Sequence, residues 1–264
     1  MQLYVSNIQI LYMAILHALG RKEVRLNPIS PTFFANVAKM LGIDIIYTDG
    51  KLDFSSDADI VHNFYESFTP QALVVFQNHG ENIGSAKVFV KKNGPCVVAE
   101  FFDEELYVKC KLFLEGGIKR GRLWNYDVIA LGIKEHAQPC KIEELEGKIQ
   151  KSNETLAYLH KSFAGNPYFD MVPMGSKTLK EEFPILLKPS LYCPKEDIYQ
   201  ELQERGVEVK VRFKPLYRLT LFKSEPLAVS EEIYKALLTL PLRTNIAKPL
   251  MEVLEKYRYR GCSF

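Results

Sequence analysis

The chain has 264 residues, enough for one large domain or two modest ones with a core of their own. Apolar residues make up 47% and charged residues 25%, which excludes disorder along the whole length. Lys plus Arg number 34 against 32 acids, and a net charge of +2 leaves no electrostatic footprint for nucleic acid or an anionic membrane.

The chain opens Met1-Gln2-Leu3, with no basic stretch and no small-residue cleavage site, so no signal peptide is expected. Leu3-Tyr4-Val5 reads as a short strand. Ile8 to Leu19 reads as a helix stopped by Gly20. This run is too short to span a membrane and carries Gln9 and His17. Ile8, Leu11, Ile15 and Leu19 form one stripe, widened by Tyr12 and Leu16, and a stripe that wide predicts an apolar patch for a partner to cover.

Val24 to Leu26 is a second strand, and Pro31 to Leu41 a helix closed by Gly42. Ile43 to Tyr47 is strongly β, with Asp49-Gly50 as a turn signal. Ala72 to Phe76 and Val97 to Phe102 are further strands, and Asp103 caps a helix running to about Glu115. This alternation predicts an α/β region with mostly parallel strands over residues 1–140.

Residues 141–264 have a different rhythm. Ile142, Leu145, Ile149, Leu156, Leu159 and Phe163 recur at 3, 4 and 7, one apolar face of a long linking helix. Phe183 to Lys188 reads as a strand and Lys195 to Arg205 as a helix. Val207, Val209, Val211 and Phe213 alternate with polar residues, which predicts a strand with Val209 and Val211 inside. Ser230 begins a helix ending before Pro241, and a last helix runs from Pro249 to Tyr257. Together these predict a smaller α+β domain.

Motifs for common chemistries are missing. There is no G-x-G-x-x-G, no P-loop, and no H-x-x-x-H or H-E-x-x-H among His17, His62, His79, His136 and His160. Cys96, Cys110, Cys140, Cys193 and Cys262 are scattered and odd in number, which excludes a disulfide framework and fits a reducing cytoplasm. His79 follows an apolar strand, where α/β sheets bind ligands, although a polar turn is the plainer reading. The basic runs Lys87 to Lys92 and Lys119 to Arg122 fit either a phosphate grip or solvated loops.

Pro31-Thr32-Phe33-Phe34-Ala35-Asn36, Gly94-Pro95-Cys96-Val97-Val98, Glu104-Glu105-Leu106 and Gly117 to Trp124 together resemble the DegT family of sugar aminotransferases. Asn166-Pro167-Tyr168-Phe169, Tyr192-Cys193-Pro194-Lys195-Glu196 and Phe213-Lys214-Pro215-Leu216-Tyr217 are similar to the branch of that family serving pseudaminic acid synthesis. The resemblance implies a fold-type I pyridoxal phosphate protein, here in reduced form. It implies a Schiff-base lysine, an Asp on the pyridine nitrogen, an aromatic on the ring, and a Ser-x-Thr helix start for the phosphate.

Phe33 matches the ring-stacking position. Asn7 and Gln9 fall at the phosphate-binding helix start, where neither is a hydroxyl but their amides can still donate. Lys91 and Lys92 are the candidates for the lysine, in a segment shorter than the family's, and Gln77-Asn78 stands where the Asp is expected. The Asn that crosses the family's dimer falls near Lys134, and the family's N-terminal arm has no counterpart before Leu3. Lys214, Tyr217 and His79 are the candidates for substrate contact. No metal site is expected.

The implied function is that of a shortened, non-catalytic homologue linked to surface-sugar biosynthesis, holding a sugar nucleotide but no cofactor. The alternatives are an active enzyme with pyridoxal phosphate on Lys91 or Lys92, or a partner subunit of a full-length aminotransferase. A homodimer or such a heterodimer is expected, in the cytoplasm, with no nucleic acid or membrane partner.

Overall fold

The computed structural model describes residues 1–49, 60–62, 74–77, 86–93, 96–120, 126–135, 146–174, 179–189, 191 and 194–258. A seven-stranded sheet is built from β1 (Gln2–Val5), β2 (Glu23–Leu26), β3 (Asp44–Tyr47), β4 (Ile60–His62), β5 (Val74–Gln77), β6 (Val88–Asn93) and β7 (Cys96–Phe101). Its strand order is β1-β7-β6-β5-β4-β2-β3. The neighbours from β6 through β5, β4 and β2 to β3 are parallel, whereas β7 runs antiparallel between β6 and β1. Six of the strands therefore point one way, and their C-terminal ends gather at one edge of the sheet.

The helices α1 (Ile8–Leu19), α2 (Thr32–Met40) and α3 (Glu104–Leu114) follow β1, β2 and β7. Asn7 caps α1 by accepting the Gln9 N–H at 2.8 Å, and Gly20 ends it in the left-handed conformation at φ 61°. Asp103 caps α3 by accepting the Leu106 N–H at 3.0 Å, and Glu104 and Glu105 suit its positive end. Leu11, Ile15, Val24, Leu26, Phe34, Val88, Val90, Ala99, Phe101 and Phe113 share one core.

This core corrects the expectation for the first helix. Leu11, Tyr12, Ala14, Ile15 and Leu16 are buried by the chain's own sheet and by α2 and α3, so the wide stripe leaves no patch on that face. A helix held between a sheet and two other helices needs apolar residues around more of its circumference than one lying on a sheet alone.

The 2-stranded ribbon of β8 (Ile118–Arg120) and β9 (Tyr126–Val128) comes next. Then α4 (Glu146–Ser162) leads into an antiparallel sheet of β10 (Phe169–Met171), β11 (Glu182–Leu187) and β12 (Leu237–Pro241). Around it lie α5 (Lys195–Glu204), α6 (Ala228–Ala236) and α7 (Ala247–Lys256). Leu159, Phe163, Phe183, Ile185, Leu238, Leu240, Leu250 and Val253 form the core here. Ile142 and Leu145, the first members of the long apolar face, lie outside the described residues.

The strand expected over Val207 to Phe213 is not formed. A single antiparallel bridge joins Lys210 to Thr239, and Val209 is buried while Val211 is 37% exposed. Continuing that register would place Phe213 opposite Ala236, the last residue of α6, where no strand exists to pair with. The chain instead turns away, with Arg212 Nη2 reaching Glu182 Oε1 at 2.7 Å. The helix expected from Ser230 starts two residues earlier, and the strand β12 follows it directly.

Candidate active site

Parallel α/β sheets bind ligands beyond the C-terminal ends of their strands. Here that edge carries Ser6 and Asn7 after β1, Asn27 to Thr32 after β2, Thr48 and Asp49 after β3, and Gln77 at the end of β5. At the same edge the antiparallel β6–β7 pair closes at Asn93 opposite Cys96.

Asn7 and Gln9 sit at the start of α1, and the Asn7 side chain holds the Gln9 N–H. One residue earlier, the Ser6 N–H and the Ser6 hydroxyl both donate to Glu135 Oε1, at 3.0 and 2.5 Å. Sequence reasoning missed Glu135, because 129 residues separate the two partners. Phe33 lies in the first turn of α2, half-buried, with its ring 4.2 Å from Phe34 and 6.0 Å edge-on from Tyr12.

Lys91 is held inside the β6–β7 ladder, and its Nζ lies 3.5 Å from Glu100 Oε2. Strand side chains alternate. Val88 and Val90 face the α1–α3 core, so Lys91 faces the other way, with Phe89 and Glu100. Phe33 packs against that α1–α3 core. Lys91 and Phe33 are therefore on opposite sides of the sheet. The Lys92 side chain, Asn78 and His79 lie outside the described residues.

Lys214 is exposed. Tyr217 is buried in a short 3-10 turn, Leu216–Arg218, that the second half of the chain lays against β2 and β3. The Leu216 N–H donates to Pro28 O at 2.9 Å, and Tyr47 meets Tyr217 edge-on at 6.0 Å. Burial pushes the phenols of both Tyr47 and Tyr217 up to about 12. Glu231 beside Tyr217 adds to its shift. Since β1 and β3 are the two outer strands, Asn7 and Tyr217 stand at opposite sides of the sheet.

Several other polar or reactive groups among the described residues are engaged or buried. Asp49 accepts from Val229 N–H, Ser230 N–H and Ser230 Oγ–H at 3.0, 2.9 and 2.7 Å, and so caps α6 across the two halves. The Lys195 ammonium donates to Tyr234 O near the end of α6 and lies 4.3 Å from the Tyr234 ring centre. Burial pulls it down to about 8. Arg218 packs on the same ring and pairs with Glu231. The Cys110 thiol is buried and pushed up to about 12, which removes it as a nucleophile at neutral pH. Among the described residues no group of His, Cys, Asp or Glu is placed to hold a metal ion.

A family model described as the DegT/DnrJ/EryC1/StrS aminotransferase family matches residues 86–256. The chain belongs to that family. A Campylobacter jejuni protein named UDP-4-amino-4,6-dideoxy-N-acetyl-beta-L-altrosamine transaminase is 29% identical over 190 residues, 64% of this chain and 50% of the relative. The chain thus spans about half the length of the curated relatives it matches. Among solved structures, Helicobacter pylori PseC, an aminotransferase involved in the biosynthesis of pseudoaminic acid, superposes with a TM-score of 0.81 at 18% identity. That match covers 97% of this chain and 87% of PseC. The sugar aminotransferase CalS13 from Micromonospora echinospora gives 0.74 at 12% identity, covering 97% and 87%. The DegT fold, a fold-type I aminotransferase architecture, is therefore shown over nearly the whole chain.

The DegT family depends on pyridoxal phosphate. The described residues do not fit that group. Its aldehyde needs a free amine, whereas Lys91 is set against Glu100 on the far face of the sheet from Phe33. Its phosphate needs donors at the start of α1, and there Ser6 is already bonded to a carboxylate.

Proposed function

We propose that this chain is a catalytically inactive DegT-type homologue that serves surface-sugar biosynthesis and keeps a sugar-nucleotide surface without transamination. The relatives named as UDP-sugar transaminases support the substrate class. The observation that carries the loss of catalysis is the tight β6–β7 pairing, which runs unbroken from Val88–Phe101 to Asn93–Cys96 and takes Lys91 into an ion pair. A transaminating lysine must bring its amine to the cofactor aldehyde, and Lys91 is paired with Glu100 on the face of the sheet away from Phe33.

On this reading the chain divides into a reduced large domain, 1–140, and a linking helix with an α+β domain, 141–264. It works in the cytoplasm. Among the described residues no helix is long and apolar enough to cross a membrane. The test is amino transfer: the pure protein with pyridoxal phosphate, an amino donor and a 4-keto UDP-sugar is expected to yield no amino sugar by chromatography. Turnover would establish the active enzyme instead, with Lys91 or Lys92 as its lysine.

A homodimer, or a heterodimer with a full-length aminotransferase, is the second part of the proposal. The exposed apolar residues Val128, Ile129 and Leu131, the last 79% exposed, favour a protein partner over open solvent. Light scattering at micromolar concentration is expected to give a dimer mass, alone or with the aminotransferase. A monomer in both mixtures removes this part.

A further inference from the structure

We infer that Glu135 closes the phosphate cradle of this fold from within, its carboxylate standing in for the anion that the start of α1 would otherwise take. The inference rests on the non-catalytic reading above and says what replaced the cofactor's anchor. Two donors of Ser6 converge on the same oxygen, Glu135 Oε1, one from the main chain and one from the side chain. A third donor at this helix start, the Gln9 N–H, is taken by Asn7 Oδ1. A helix start favours negative charge, and the carboxylate held by Ser6, the residue before the Asn7 cap, places that charge beside it.

The carboxylate is positioned by its own backbone. The Ile133 N–H donates to Phe113 O at 2.8 Å and the Glu135 N–H to Leu114 O at 2.9 Å, so the segment is tied to the end of α3. Lys134 pairs with Glu115 in an isolated antiparallel bridge. At Gly132 an added Cβ would lie 2.3 Å from Phe113 O and 2.5 Å from Gly117 N, so the close approach that seats the segment demands glycine. A phosphate dianion arriving at Ser6 would meet a fixed carboxylate and lose these donors to it.

The experiment titrates inorganic phosphate into wild type, Glu135→Ala and Glu135→Gln by calorimetry, at constant ionic strength. Phosphate carries no aldehyde, so the result is independent of amino transfer. An active wild type would overturn the proposed function and leave this measurement standing. Glu135→Ala is expected to bind phosphate at least about ten-fold tighter than wild type, with Glu135→Gln between them. Equal binding by wild type and Glu135→Ala, including equal absence of binding, overturns the inference. Amide hydrogen exchange at Ser6 gives a readout that needs no ligand. Exchange about ten-fold faster in folded Glu135→Ala than in wild type supports the contact, and unchanged exchange refutes it, with Glu135→Gln, which keeps an acceptor oxygen, lying between the two. If the alanine variant does not fold, phosphate binding by the glutamine variant decides: tighter than wild type supports the inference and equal overturns it.

Discussion

Asp49 shows how a single side chain ties the first half of the chain to α6, and Lys195 how one ties α5 to α6. Lys195 is buried against Tyr234 with its ammonium pulled down to about 8, against an ordinary value of about 10.4 in the unfolded chain. The unfolded state therefore binds more protons between those two values, and stability rises with pH across that window. Lys195→Met is expected to flatten this rise in urea melts taken at half-unit steps from pH 7.5 to 10.5. An identical slope in the variant would show that the ammonium is not desolvated. Asp49→Ala removes three hydrogen bonds at the start of α6 and is expected to cost about 1–2 kcal/mol in the same melts. No loss would mean that α6 is capped by solvent as effectively.

At the scale of elements, most helices were legible because their stop and start chemistry is local. Gly20 and Asp103 act on their immediate neighbours, so the end of α1 and the start of α3 follow from them, whereas the Asn7 cap was seen only in the structure. The strand β6 was hidden by its lysines, which read as a basic run until β7 paired with it. The alternation at Val207 to Val211 misled for the opposite reason. The pattern is there, but only Lys210 finds a partner, because α6 occupies the place of the strand that would extend the ladder. Glu135 was invisible for want of any local signal, since its partner is Ser6 and its segment is seated by Gly132 and α3. Gly132→Ala tests that seating. The added methyl cannot fit against main-chain atoms, so Ser6 amide exchange is expected to accelerate as it does in Glu135→Ala, with α1 itself still folded by circular dichroism. Unchanged exchange would show that the segment docks without the close approach.

For the whole molecule, sheet order and family membership establish a DegT architecture. The resemblance in the sequence reached the family through short motifs spread along the chain, and the family match over residues 86–256 covers the part where those motifs were densest. The positions of Phe33 and Lys91 on opposite faces could not be read before the strands were placed, because the register of β6 sets them. The packing of α1 is testable at one position. Ile15→Ala, at a fully buried position, is expected to cost about 2–5 kcal/mol in denaturant melts, and a loss under about 1 kcal/mol would contradict the packing described.

The central claim, a DegT fold without the transaminating lysine, is tested most directly by borohydride trapping. The pure protein is mixed with equimolar pyridoxal phosphate, reduced, digested and mapped by mass spectrometry. The account predicts only scattered, substoichiometric pyridoxyl adducts on exposed lysines, with none concentrated on the β6 segment. A stoichiometric adduct on Lys91 or Lys92 would contradict it.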